Sequence, residues 1–130
     1  MNRDEAICVI NDFLATAIRE NQWFINIEPF IKAIIFFGSR SKETNRPDSD
    51  IDILIIVPLK KEEQYTDGEY LYTFKGIEIN IVLRSIERLR KIAKEKTDEF
   101  QKEIFRKSVI ISDTDGEVTK LLQEIEKIGE

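Results

Sequence analysis

The chain has 130 residues, 42% hydrophobic and 35% charged, which supports one compact domain over residues 1–130 with a modest core and no second domain. A net charge of -5 argues against broad nucleic-acid binding, which draws on Lys and Arg contacts to phosphate, while the acid excess suits divalent cations. The complete lack of histidine rules out a Ser-His-Asp triad, a His-Glu-x-x-His zinc site and a histidine-dependent ribonuclease centre, so carboxylate and metal chemistry is what remains.

In chain order, Ile7, Ile10, Leu14, Ala17 and Ile18 recur at helical spacing and predict a first helix over residues 3–20. The single cysteine, Cys8, has no partner for an internal disulfide and is expected to serve as a small core hydrophobe. Trp23 and Phe24, just before Pro29, are expected to cap the core. Apolar runs predict strands at 31–37 and 51–57, the second ended by Pro58. Asp67-Gly68 and Lys75-Gly76 bracket EYLYTF, and GIEINIVL alternates after them, which predicts a hairpin with a two-residue turn.

Ser85 is placed to cap a helix with Ile86, Leu89, Ile92 and Ala93 in its apolar stripe, and Thr97-Asp98 to restart a helix toward Phe100 and Ile104. SVIIS reads as a short last strand. TDGE reads as a capping box for a terminal helix that turns Val118, Leu121, Leu122, Ile125 and Ile128 inward. The segment Arg84–Lys107 holds nine basic and five acidic residues, the composition of a solvated helix face. No signal peptide and no apolar run near the length of a membrane span is present, so no membrane association and a cytoplasmic location are expected. Interleaved helices and strands with a hairpin predict an α+β fold, a mixed sheet with flanking helices.

Between the first two strands lies GSRSKETNRPDSD. Gly38 lets backbone approach a ligand closely, Ser39 offers a hydroxyl and an amide to phosphate oxygens, and Arg40, Lys42 and Arg46 add positive charge. Asp50 and Asp52 stand at i and i+2, a spacing that puts two strand carboxylates on one face about 7 Å apart at Cα, close enough to share cations. Phosphate at one end and divalent metal at the other describe a nucleoside triphosphate with its cations. In GIEINIVL, Glu78 and Asn80 share one face and Glu78 is the sole carboxylate.

The stretch GSRSKETNRPDSDIDI resembles the signature of the polymerase β-like nucleotidyltransferases, Gly-Ser, a spacer, then Asp-x-Asp. Its ten-residue spacer between Ser39 and Asp50 is similar to that of the minimal nucleotidyltransferases, which often carry a second glycine where this chain has Glu43. The resemblance implies the polymerase β-like fold and transfer of a nucleoside monophosphate, AMP from ATP, onto a hydroxyl. It implies two Mg2+ ions, with Mn2+ as a substitute, on Asp50 and Asp52, and triphosphate on Gly38, Ser39 and Arg40. It further implies a third acid that binds metal or takes a proton, a role for which Glu78 is the candidate. Similar stand-alone proteins act as antitoxins that adenylylate a tyrosine of a HEPN-type partner. Two other readings stand beside this one: a catalytically weak module that neutralises its partner by binding alone, and a small-molecule nucleotidyltransferase of the aminoglycoside type.

Overall fold

A computed structural model describes residues 3–37, 51–65, 69–95 and 108–127. Its sheet has the strands β1 (Ala33–Phe37), β2 (Ile51–Val57), β3 (Glu69–Phe74), β4 (Ile77–Ser85) and β5 (Val109–Asp113), in the spatial order β3-β4-β2-β1-β5. The helices among the described residues are α1 (Arg3–Ala15), α2 (Gln22–Ile27), α3 (Leu59–Gln64), α4 (Ile86–Glu95) and α5 (Glu117–Lys127). Neighbouring strands run antiparallel except β2 and β4, which are parallel. The α+β expectation of a mixed sheet with flanking helices therefore holds.

All seven residues of β2 are buried, because the strand is central and covered on both faces. Period two divides them. Ile51, Ile53, Ile55 and Val57 join Ile79, Ile81 and Leu83 of β4 under Ala6, Ile10 and Phe13 of α1 and Phe24 and Ile27 of α2. On the opposite face Leu54 and Ile56 join Ala33, Ile35 and Val82 under Ile86, Leu89 and Ala93 of α4 and Val118 and Leu122 of α5. The sheet is thus sandwiched between two helical layers, and Asp52 falls on the α4–α5 face by the same alternation.

The first helix is shorter than its apolar pattern. It stops at Ala15, the Thr16 hydroxyl donates to the Asp12 carbonyl at 2.7 Å, and a turn of 3-10 helix over Ala17–Glu20 then carries Ile18 into the core. Cys8 is exposed, which corrects its expected core role: the inward stripe of α1 is Ala6, Ile10 and Phe13, and Cys8 lies off it. Phe24 is buried as expected. Trp23 stacks on Tyr70 with ring centroids 4.2 Å apart and donates its Nε1–H to the Tyr72 hydroxyl at 2.6 Å, so both its faces of chemistry serve packing.

The hairpin forms where expected. Lys75 and Gly76 have φ of 53° and 77°, the pair of left-handed residues a two-residue turn needs to match strand twist. The strand continues past GIEINIVL to Ser85, whose hydroxyl accepts from Arg88 N at 3.1 Å as the expected helix cap. Helix α3, absent from the sequence reading, follows Pro58. It is tied to the β4–α4 junction twice: the Glu87 carboxylate of α4 accepts from Leu59 N at 2.6 Å, and the Glu62 carboxylate accepts from Ser85 N at the end of β4 at 3.0 Å.

The expected capping box at TDGE is replaced by a different arrangement. Thr114 donates its hydroxyl to the Ile31 carbonyl at 3.0 Å instead of serving the helix. The Asp113 carboxylate accepts from Gly116 N at 3.2 Å and from Thr119 N at 2.7 Å, and Asp115 accepts from Glu117 N at 3.1 Å. Two aspartates so do the work assigned to one threonine. Within Arg84–Lys107, Arg88 pairs with Glu62 and Arg90 with Glu117, in keeping with a helix face that serves the fold. The expected restart at Thr97-Asp98 and the inward Ile125 and Ile128 side chains lie outside the described residues. Among the described residues no helix is long and apolar enough to cross a membrane.

Candidate active site on the β2–β4 pair

Asp52 lies near the start of β2, and strand alternation aims it at the α4–α5 face with Leu54 and Ile56. It is 5% exposed, and its Oδ2 is fully buried. A carboxylate at that depth is costly unless cations or hydrogen-bond donors meet it, which makes such a position more often functional than decorative. The parallel register sets what stands beside it. Asp52 aligns with Asn80 of β4, and Asn80 in turn aligns with Leu71 of β3. On the other side Asp52 aligns with Phe37 of β1. One rung therefore crosses four strands at the level of Asp52.

Exposure rises along that rung toward the β3 edge: Asp52 is buried, Asn80 is half-buried and Leu71 is 61% exposed. One step further into the sheet, Leu54 and Val82 lie buried beneath the helical layer. Among the described residues, the apolar side chains of the helical layer meet β2 and β4 at Leu54 and Val82, one step beyond Asp52 and Asn80. Glu78 shares the face of Asn80 two residues earlier on β4, aligned with Thr73 of β3, and it is exposed. Alternation in the sequence put Glu78 and Asn80 on one face. It carried no signal for which of them stands level with Asp52, because that depends on the register of a parallel pair closed across α3 and β3.

Asp50, Gly38, Ser39 and Arg40 lie outside the described residues. By chain order they belong to the connection from the end of β1 to the start of β2, at whose border Asp52 stands. Among the described residues no group of three His, Cys, Asp or Glu side chains is placed to hold a metal ion. Asp52 and Asn80 are nevertheless aligned across β2 and β4 and both carry side-chain oxygens, the donors that hard divalent cations such as Mg2+ take. The chemistry of these two side chains is compatible with a hard divalent cation such as Mg2+.

A structural likeness agrees with this fold. The crystal structure of a nucleotidyltransferase-like protein from Exiguobacterium sibiricum superposes with a TM-score of 0.56 at 14% identity, over 84% of this chain and 39% of that one. The likeness is one of fold. This chain spans well under half of that protein's length. No curated protein sequence matches the chain. The family model for the nucleotidyltransferase domain matches residues 21–120, which include Gly38-Ser39, the Asp50-x-Asp52 pair and the whole β3–β4 hairpin. The chain accordingly belongs to the nucleotidyltransferase domain family.

Proposed function

We propose that this nucleotidyltransferase moves a nucleoside monophosphate, AMP from ATP, onto a hydroxyl with release of pyrophosphate and dependence on Mg2+. The single observation that carries this reading is the buried Asp52 carboxylate on a central strand, aligned with Asn80 of β4. Phosphoryl and nucleotidyl transfer need little covalent chemistry from the protein, so positioning and charge neutralisation suffice. Asp50 and Asp52 would hold Mg2+, which when bound polarises the α-phosphate and offsets developing charge. Gly38, Ser39 and Arg40 cradle the triphosphate. Glu78, exposed on the same face of β4 as Asn80, takes the proton of the incoming hydroxyl as pyrophosphate is released from the α-phosphorus.

The acceptor is a protein hydroxyl, a tyrosine of a HEPN-type partner, and the chain acts as the antitoxin of that pair. Location in the cytoplasm goes with this role. The experiment is transfer of label from α-labelled ATP to purified partner, with γ-labelled ATP as control. Label from the α-position on the partner, and none from the γ-position, supports the reading. The reverse pattern would identify a kinase and refute it.

A second reading is favoured by one specific observation: the residue level with Asp52 is Asn80, an amide and not an acid. On that reading the chain silences its partner by binding alone. ATP consumption by the purified pair, with and without Mg2+, separates the two, since a binding-only module consumes none.

A further inference from the structure

The rung Leu71–Asn80–Asp52 assigns a role to a residue that the carboxylate chemistry leaves aside. We propose that Asn80 supplies the oxygen beside Asp52 as a neutral carboxamide, so that the metal site is poor in charge, binds a divalent cation weakly by itself, and holds it firmly once a triphosphate is present. This inference rests on the nucleotidyl-transfer reading and deepens it.

The argument starts from register. Adjacent strands are about 4.8 Å apart, and residues aligned across a parallel pair point the same way, so the side chains of Asp52 and Asn80 are nearest neighbours on their face. Glu78 is displaced along β4 by two residues, about 6.6 Å at the rise of a parallel strand, and is solvent-exposed. A cation seated on the buried carboxylate of Asp52 therefore meets the Asn80 carbonyl oxygen before it meets the Glu78 carboxylate.

The chemistry of that oxygen decides the consequence. A carboxamide presents a carbonyl lone pair to a hard cation but contributes no negative charge. Affinity of oxygen sites for divalent cations is set largely by how many ligand charges they carry and how rigidly these are held. Exchanging a third carboxylate for an amide removes one charge, and the triphosphate, with its own oxygens, restores what the protein lacks. Asn80 is itself half-buried and Leu71, aligned with it on the same rung, is exposed, so the Asn80 side chain retains contact with solvent through which a nucleotide-borne cation is exchanged. Holding the metal through the nucleotide also links occupancy of the site to the presence of substrate.

The test is a titration of Mn2+, followed by electron paramagnetic resonance, into the full chain with and without a non-hydrolysable α,β-methylene ATP analogue. Wild type is expected to bind Mn2+ weakly alone and at least tenfold more tightly with the analogue. Asn80→Asp should raise the analogue-free affinity about tenfold, Asn80→Leu should lower it, and Glu78→Gln should leave it unchanged. Thermal melts check that each variant is folded, and Asn80→Asp, which keeps size and shape, carries the test if Asn80→Leu does not fold. Unchanged Mn2+ affinity in folded Asn80→Asp, or a loss in Glu78→Gln as large as in Asp52→Asn, would overturn the proposal. If Asp52→Asn itself retains wild-type Mn2+ binding, the underlying metal reading fails instead.

Discussion

The Glu62 carboxylate accepts a hydrogen bond from the Ser85 backbone N–H at 3.0 Å, and so fastens α3 to the junction of β4 and α4, at the opposite end of β4 from Glu78 and Asn80. Glu62 is 8% exposed, whereas the side chain of its ion-pair partner Arg88 is 62% exposed. The buried acceptor thus matters more than the surface-facing charge. Glu62→Ala leaves Ser85 N without its acceptor and should cost about 2 kcal/mol, read as a lower urea midpoint, while Arg88→Ala should cost under about 1 kcal/mol. Equal losses in the two variants would contradict this ranking.

The β3–β4 turn sets the register that places Asn80 and Glu78. Gly76 has a φ of 77° and nothing would meet an added Cβ within 4 Å, so Gly76→Ala suffers from backbone conformation alone. A loss of about 1 kcal/mol with an intact sheet is expected in chemical denaturation. Lys75→Gly, at a φ of 53°, should be neutral or slightly stabilising. A stabilised Gly76→Ala variant would show that the turn is not left-handed.

Acid should loosen the link between α4 and α5. The Arg90 guanidinium, hydrogen-bonded to Glu117, holds that carboxyl below its ordinary range, and the backbone N–H of Glu117, with Lys32, does the same for Asp115. A depressed folded-state pKa contributes stability that is present above the unfolded value and lost as pH falls through the folded one. Melting temperature should therefore drop from about pH 5 toward about pH 3, and Glu117→Gln should make that drop shallower. Both side chains reach solvent, so the effect is modest. An identical acid slope in the variant would remove Glu117 from the account.

On the proposed function, Gly38 and Ser39 bind the phosphates of the nucleotide. A side chain at position 38 blocks backbone approach, and Ser39→Ala removes one hydrogen bond worth about 1 kcal/mol. Calorimetry should find ATP affinity reduced several-fold in Ser39→Ala and further in Gly38→Val. Wild-type affinity in Gly38→Val would remove the loop from the site.

Much of this fold is written in local pattern. The unbroken apolar run of β2 announces a strand covered on both faces, and Lys75-Gly76 between two alternating runs announces the hairpin. What escaped the sequence depends on distant partners. Helix α3 takes its first N–H partner from Glu87 in α4, and α5 takes its cap from Asp113 in β5 where a local threonine looked sufficient. The same holds at the site. Asp52 and the shared face of Glu78 and Asn80 are legible from spacing, yet which of the two meets Asp52 follows from pairing of strands that α3 and β3 separate.

The proposed function gives Glu78 a role separate from that of the metal site. As the group that takes the acceptor's proton, it should be worth about 10² to 10⁴ in rate, so Glu78→Gln should lose turnover in single-turnover assays and keep its ATP affinity. Full activity in Glu78→Gln would assign the proton to another group.

The central claim is that Asp52 and Asp50 hold the cations of a bound nucleoside triphosphate. The most direct test is the melting shift produced by Mn2+ with α,β-methylene ATP, measured on wild type and on Asp50→Asn plus Asp52→Asn. The account predicts a clear upward shift in wild type that vanishes in the double variant, because anything bound to the native state alone stabilises it by mass action. The same shift in both proteins would contradict it.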